Sequence, residues 1–150
     1  MELQWKPNWD ETRRHFVDWW NHEGLILGMW TAPPADEPHE PVEWPGDPES
    51  IEQQYTDAEI RALRNHCELA GRYFGADCLP QARTSIGPGS LALCVGGEPG
   101  FAESTVWFKP TMADVEEPES LPPLEFQPES RWWQVHESTI RHCRRLGEGK

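Results

Sequence analysis

Between Ala76 and Gly97 the sequence reads ADCLPQARTSIGPGSLALCVGG, which sets one arginine, one threonine and a Gly-Pro-Gly turn between two short apolar runs. A guanidinium presents a fixed fork of N–H donors that matches a carboxylate bidentately, so Arg83 has the chemistry to hold an anion; the plain alternative is a solvated loop residue. The turn IGPGS offers backbone N–H groups that can cradle a phosphate, but no Gly-Lys-Ser/Thr follows, and an ordinary turn is the favoured reading. Asp77 is either a buried active-site carboxylate or a strand-start residue bonded to nearby backbone, with the second preferred.

Other clusters are weaker. His15, Asp18 and His22 fall at steps of three and four, which places them on one helix face where they have the geometry to bind a metal. An exposed polar face explains them better, with Trp19 and Trp20 expected to take the buried side. His66-Cys67 and His142-Cys143 are adjacent pairs whose side chains diverge on a helix, so neither makes a bidentate site, and both cysteines read as core thiols. Neither G-x-S-x-G nor H-E-x-x-H occurs, so hydrolase chemistry has no residue-level support.

The elements that must position these residues have to be drawn from an acidic, polar chain. Twenty-six acidic residues against 13 basic give a formal charge of −13, which repels phosphate backbones and anionic membrane surfaces and argues against nucleic-acid or membrane partners. Hydrophobic residues are 37% of the 150, and 15 prolines and 12 glycines interrupt them, so much of the chain is expected to be loop. The nine tryptophans pull the other way, toward packed cores or an interface. No run reaches the length needed to span a bilayer, and MELQWKPNWDETRRHF lacks an apolar signal region, so a cytoplasmic protein with four reduced cysteines is expected.

Asn8 with Glu11 predicts a capped helix that carries Trp9, Phe16, Trp19 and Trp20 and stops at Gly24. Leu25 to Trp30 then has the length and punctuation of a buried strand, and the proline-rich segment from Pro33 to Pro48 must be extended loop. Thr56 and Glu59 predict a second capping box, followed by a helix through Phe74. Ala76–Pro80, Leu91–Val95 and Thr105–Phe108 read as strands, the stretch from Met112 to Glu129 as solvated, and Ser130 as the cap of a last helix to Arg145 with Trp133, Ile140 and Cys143 inward. Strands alternating with helices indicate an α/β architecture on a mainly parallel sheet. Only three or four strands leave unpaired edges, which implies that something else completes the sheet.

Three linked stretches carry a resemblance: NWDETRRHFVDWWNHEGLILGMW, then FGADCLP with IGPGSLALCVGG, then VWFKPTMADVE before a Trp-Trp helix. Together they resemble the N-terminal part of the uroporphyrinogen decarboxylase-like superfamily, which includes the corrinoid methyltransferases. The resemblance implies that residues 1–150 are the N-terminal portion of a single (β/α)8 TIM barrel, incomplete at this length. It implies that LILGMW is an early barrel strand, and that Trp30, Arg83 and Thr84 sit on the strand-end loops that form such active sites. Arg83 would then pair with a substrate carboxylate, and Gly87 and Gly89 would let backbone approach the pocket. A small carboxylated or methylated substrate follows, with lyase or methyltransferase-like chemistry once the barrel is completed.

Two departures narrow the branch. The decarboxylases carry an arginine-rich motif just after their first strand, where Met29-Trp30-Thr31-Ala32-Pro33-Pro34 stands here, so porphyrinogen decarboxylation is not expected. The methyltransferases bind zinc through a His-x-Cys pair and a later Cys; these residues hold no His-x-Cys, and zinc or a corrinoid partner is implied only for a complete protein. No catalytic residue, metal ligand or cofactor site is assigned within these 150 residues, and the rest of a barrel or a second copy of the chain is the implied partner. The contrasting reading is a free-standing acidic α/β binding module that uses its tryptophan surfaces for a carbohydrate or a protein.

Overall fold

The computed structural model describes residues 3–34, 42–110, 112, 115–117, 119, 121 and 123–150. The middle of the Pro33–Pro48 loop and several positions of the Met112–Glu129 stretch lie outside the described residues. The fold is mixed α/β. In chain order it contains α1 (Trp9–Trp20), β1 (Gly28–Thr31), α2 (Ile51–Thr56), α3 (Ala58–Ala70), β2 (Tyr73–Ala76), α4 (Ser90–Leu93), β3 (Glu98–Phe101), β4 (Val106–Lys109) and α5 (Arg131–Leu146). Contacts divide these into two compact units: Met1–Pro45 with Leu63–Arg83 and Cys143–Lys150, and Gly46–Ala62 with Thr84–His142.

The first unit is built on an antiparallel pair in which Gly28 faces Ala76 and Thr31 faces Tyr73. Trp5, Ala70 and Phe74 form its core, with Val42, Leu69 and Cys78 packed against them. Its two chain ends are tied together, since Trp5 N–H donates to Lys150 O at 2.8 Å and Lys150 Nζ to Gln4 Oε1 at 2.7 Å. Helix α1 begins where Asn8 predicts, yet the Asn8 side chain makes no cap bond, because its amide donates instead to Ala76 O at 3.1 Å. The helix also ends earlier than Gly24, and it buries Thr12 rather than its tryptophans: Trp19 is 50% exposed and Trp20 78%. LILGMW corrects the expectation most, because every residue of β1 is exposed.

The second unit is a hairpin of β3 and β4 with Phe101 opposite Val106, closed by a bond from Ala102 N–H to Thr105 O at 2.9 Å. Ile86, Leu93, Val106 and Trp132 form its core. Strands joined by so short a loop can only pair antiparallel, and β1 with β2 are antiparallel as well, so the expected mainly parallel sheet is not what these strands form. Where a strand over Leu91–Val95 was expected, Ser90–Leu93 is one helical turn: it buries Leu93 completely and leaves Leu91 in solvent.

Caps explain the remaining boundaries. Ser50 Oγ accepts from Gln53 N–H at 3.1 Å and starts α2, a helix the sequence pattern did not suggest. Thr56 closes that helix through a bond to Glu52 O, and Asp57 takes the capping role expected of Thr56, with Oδ1 accepting from Glu59 and Ile60 N–H at 3.1 and 2.9 Å. Ser130 caps α5 as expected, accepting from Trp133 N–H at 3.2 Å. The buried face of α5 is nevertheless Trp132, His136 and Thr139, while Ile140 is 48% exposed.

Candidate functional site

A dense polar cluster lies in the first unit, around the end of β2. Ala76 adopts a positive φ of 48°, a conformation that residues with a Cβ rarely hold, and its carbonyl is what holds it there. That oxygen accepts from Lys6 Nζ, from Asn8 Nδ2 at 3.1 Å and from Thr12 Oγ1 at 3.1 Å, while Lys6 Nζ also donates to Phe74 O at 3.3 Å. Lys6 is fully buried. Burial pushes its ammonium pKa down, opposed by the nearby charges of Asp77, Cys78 and Glu11.

The next residue completes the site. Asp77 is 6% exposed, and its carboxylate accepts from Leu27 N–H at 3.2 Å and meets His15 Nδ1 at 2.8 Å. Burial pushes the Asp77 carboxyl up, but the Leu27 N–H bond, the His15 bond and charge and the Lys6 ammonium together hold it below the ordinary aspartate value. Asp77 is thus buried, and bonded to backbone as its second reading had it, but it follows the end of β2 rather than starting a strand. His15, expected on a merely polar surface, keeps 40% of its side chain exposed while its Nδ1 is fixed by the carboxylate. Among the described residues no three His, Cys, Asp or Glu side chains converge on a metal position.

The five residues singled out as a substrate site divide between the units. Trp30 and Arg83 belong to the first, and Thr84, Gly87 and Gly89 to the second. Trp30 is 64% exposed, with the Arg72 guanidinium 4.9 Å from its ring centre. Arg83 is exposed, and its backbone is gripped on both sides by one side chain: Asn65 Oδ1 accepts from Arg83 N–H at 2.7 Å, and Asn65 Nδ2 donates to Arg83 O at 3.0 Å. The Thr84 carbonyl accepts from the buried Arg61 guanidinium at 3.2 Å, which also reaches Ser85 O at 2.7 Å and Thr139 Oγ1 at 3.2 Å. A Cβ on Gly89 would sit 2.6 Å from the Phe108 ring, and one on Gly87 3.1 Å from Val106 Cβ. Close packing against β4 accounts for both glycines. The Gly87 N–H is taken by Ser90 Oγ at 2.9 Å, which leaves it unavailable to a phosphate.

A cleft of about 550 Å³ lies at the end of α1, lined by Trp19, Trp20, His22 and Gly24. Sequence reading placed these tryptophans inside, missed Lys6 and Thr12, and singled out Asn8 only as a helix cap. The link from His15 to Asp77 spans 62 positions, and no local pattern signals it. No family model, no curated protein and no solved structure matches this chain. Among the described residues no helix is long and apolar enough to cross a membrane.

Proposed function

We propose that this chain is the N-terminal portion of a uroporphyrinogen decarboxylase-like protein, of a methyltransferase-like or uncharacterised branch, in which Arg83 binds a small carboxylated substrate or the carboxylate of a methylated one. The observation that carries the reading is how Arg83 is held. Asn65 fixes its backbone from both sides, and its exposed guanidinium meets no acidic partner among the described residues, in a chain with twice as many acids as bases. A guanidinium with no acidic partner, carried on a backbone held from both sides, is free to meet a carboxylate bidentately. Thr84, Gly87 and Gly89 support the loop rather than touch substrate. Since (β/α)8 staves are parallel, neither antiparallel pair is two adjacent staves of such a barrel.

The test is calorimetric titration with a panel of small mono-, di- and tricarboxylates and their methyl esters, against the wild type, Arg83→Ala and Arg83→Lys. One free acid should bind the wild type, its ester should bind weakly, and Arg83→Ala should lose about tenfold or more in affinity, as expected for a charge-assisted bond. Binding that ignores Arg83→Ala, or no binding by any carboxylate, would overturn the reading.

The exposed Trp19–Trp20 pair, with ring centres 6.3 Å apart and planes tilted by 59°, favours a second reading as a carbohydrate-binding surface. Neutral sugars should then quench tryptophan fluorescence in the wild type and not in Trp20→Ala.

A further inference from the structure

We propose that β1 is the contact strand of a homodimer, pairing antiparallel with β1 of a second copy about a twofold axis through Met29. The argument begins with the direction of the backbone groups. Asp77 N–H donates to Leu27 O at 2.8 Å, so 27 and 77 are a hydrogen-bonded pair of the ladder. Alternation then makes 29/75 and 31/73 bonded pairs and turns the N–H and C=O groups of 28, 30, 74 and 76 away from the hairpin.

The two outer edges differ. On β2, the Phe74 and Ala76 carbonyls are occupied by Lys6, Asn8 and Thr12, which seal that side against another strand. On β1 the outward groups of Gly28 and Trp30 have no partner among the described residues, and all four residues of the strand are exposed. An open edge with an apolar surface is a template for another strand.

Which strand fits follows from spacing and charge. Outward groups at 28 and 30 are self-complementary: with Met29 opposite the partner's Met29, Gly28 faces the partner's Trp30 and Trp30 faces the partner's Gly28, and each pair exchanges two bonds. That register satisfies every outward group of both β1 strands with no slack, and sets Leu27, 60% exposed, opposite the partner's Thr31. From Gly24 to Pro34 the sequence has no charged residue, so in a chain of net charge −13 two copies can approach along this segment without bringing like charges together.

The test is sedimentation velocity over a concentration series for the wild type, Met29→Lys and Met29→Glu, and for the two variants mixed. Met29 is 58% exposed, so neither substitution disturbs the core, and circular dichroism of each variant confirms that it is folded. The expected result is a wild-type dimer, monomers for each variant as like charges meet across the axis, and a restored dimer in the equimolar mixture. A wild type monomeric throughout, a dimer indifferent to Met29→Lys, or a mixture that stays monomeric would each overturn the proposal; the first would leave the edge to a strand from a different protein.

Discussion

His15 Nδ1 and Asp77 Oδ1 meet at 2.8 Å and join the middle of α1 to the residue that follows β2. The geometry orients the imidazole and secures the helix on the hairpin with one contact. Because the folded state holds the Asp77 pKa below its ordinary value, the stabilisation is complete above the ordinary carboxylate range and is lost as pH falls through the folded value. Urea midpoints measured from about pH 7 to about pH 3 should fall steeply at the acid end for the wild type. Asp77→Asn should start lower at neutral pH and fall less. Parallel curves for the two proteins would show that the carboxylate carries no such linkage.

His136 titrates in a different window. Burial pushes its pKa down and the nearby Arg61 guanidinium adds to the effect, against a bond to the Thr84 backbone that favours the charged form. Its Nε2 is buried and has no partner among the described residues, so protonation would place a charge where none of them receives it. A folded pKa below the unfolded one means that stability declines as pH drops below about 6.5 and levels off under the folded value. His136→Phe, which keeps most of the volume and removes the titration, should flatten the urea midpoint between about pH 7 and about pH 5. An unchanged slope in that range would contradict the assignment.

How much of this was legible in the sequence depended on whether the cause was local. The start of α1, the cap at Ser130 and the strand at Val106–Lys109 were readable because a cap or a β-rich run acts within a few residues. The inward face of α5 was misread because its buried positions hold His136 and Thr139, polar residues that periodicity assigns to solvent but that Arg61, bonded to Thr139, and the Thr84 backbone, bonded to His136, engage from distant parts of the chain. LILGMW was read as buried because apolar strands usually are, and no pattern within it says that the residues of β1 are exposed. Arg83 stood out in the sequence by its residue type alone, whereas Asn65, which holds its backbone from 18 positions earlier in a helix, carries no signal of that role.

Gly89 is required by contact rather than by conformation. An added Cβ would lie 2.6 to 2.9 Å from three atoms of the Phe108 ring, so Gly89→Ala should lose about 1–3 kcal/mol by overpacking, read from urea unfolding. Phe108→Leu makes room, and the double variant should be less destabilised than the sum of the two. Additivity would place the strain elsewhere.

Asn65→Ala separates the anchor of Arg83 from its charge. The substitution removes the 2.7 Å bond from Arg83 N–H and the 3.0 Å bond to Arg83 O while leaving the guanidinium intact. Both bonds are solvent-exposed, so the loss of stability should be small, about 1 kcal/mol. The Arg83 amide should instead exchange with solvent much faster, because its protection comes from the Asn65 oxygen. A carboxylate that binds through Arg83 should weaken as well, since the loop must then be ordered at the moment of binding. Asn65→Asp keeps an acceptor for the amide and loses the donor to the carbonyl; it should preserve the amide protection and give up part of the affinity. If Arg83 exchanges at the same rate in the wild type and Asn65→Ala, the loop is held by something else and the anchored guanidinium loses its basis.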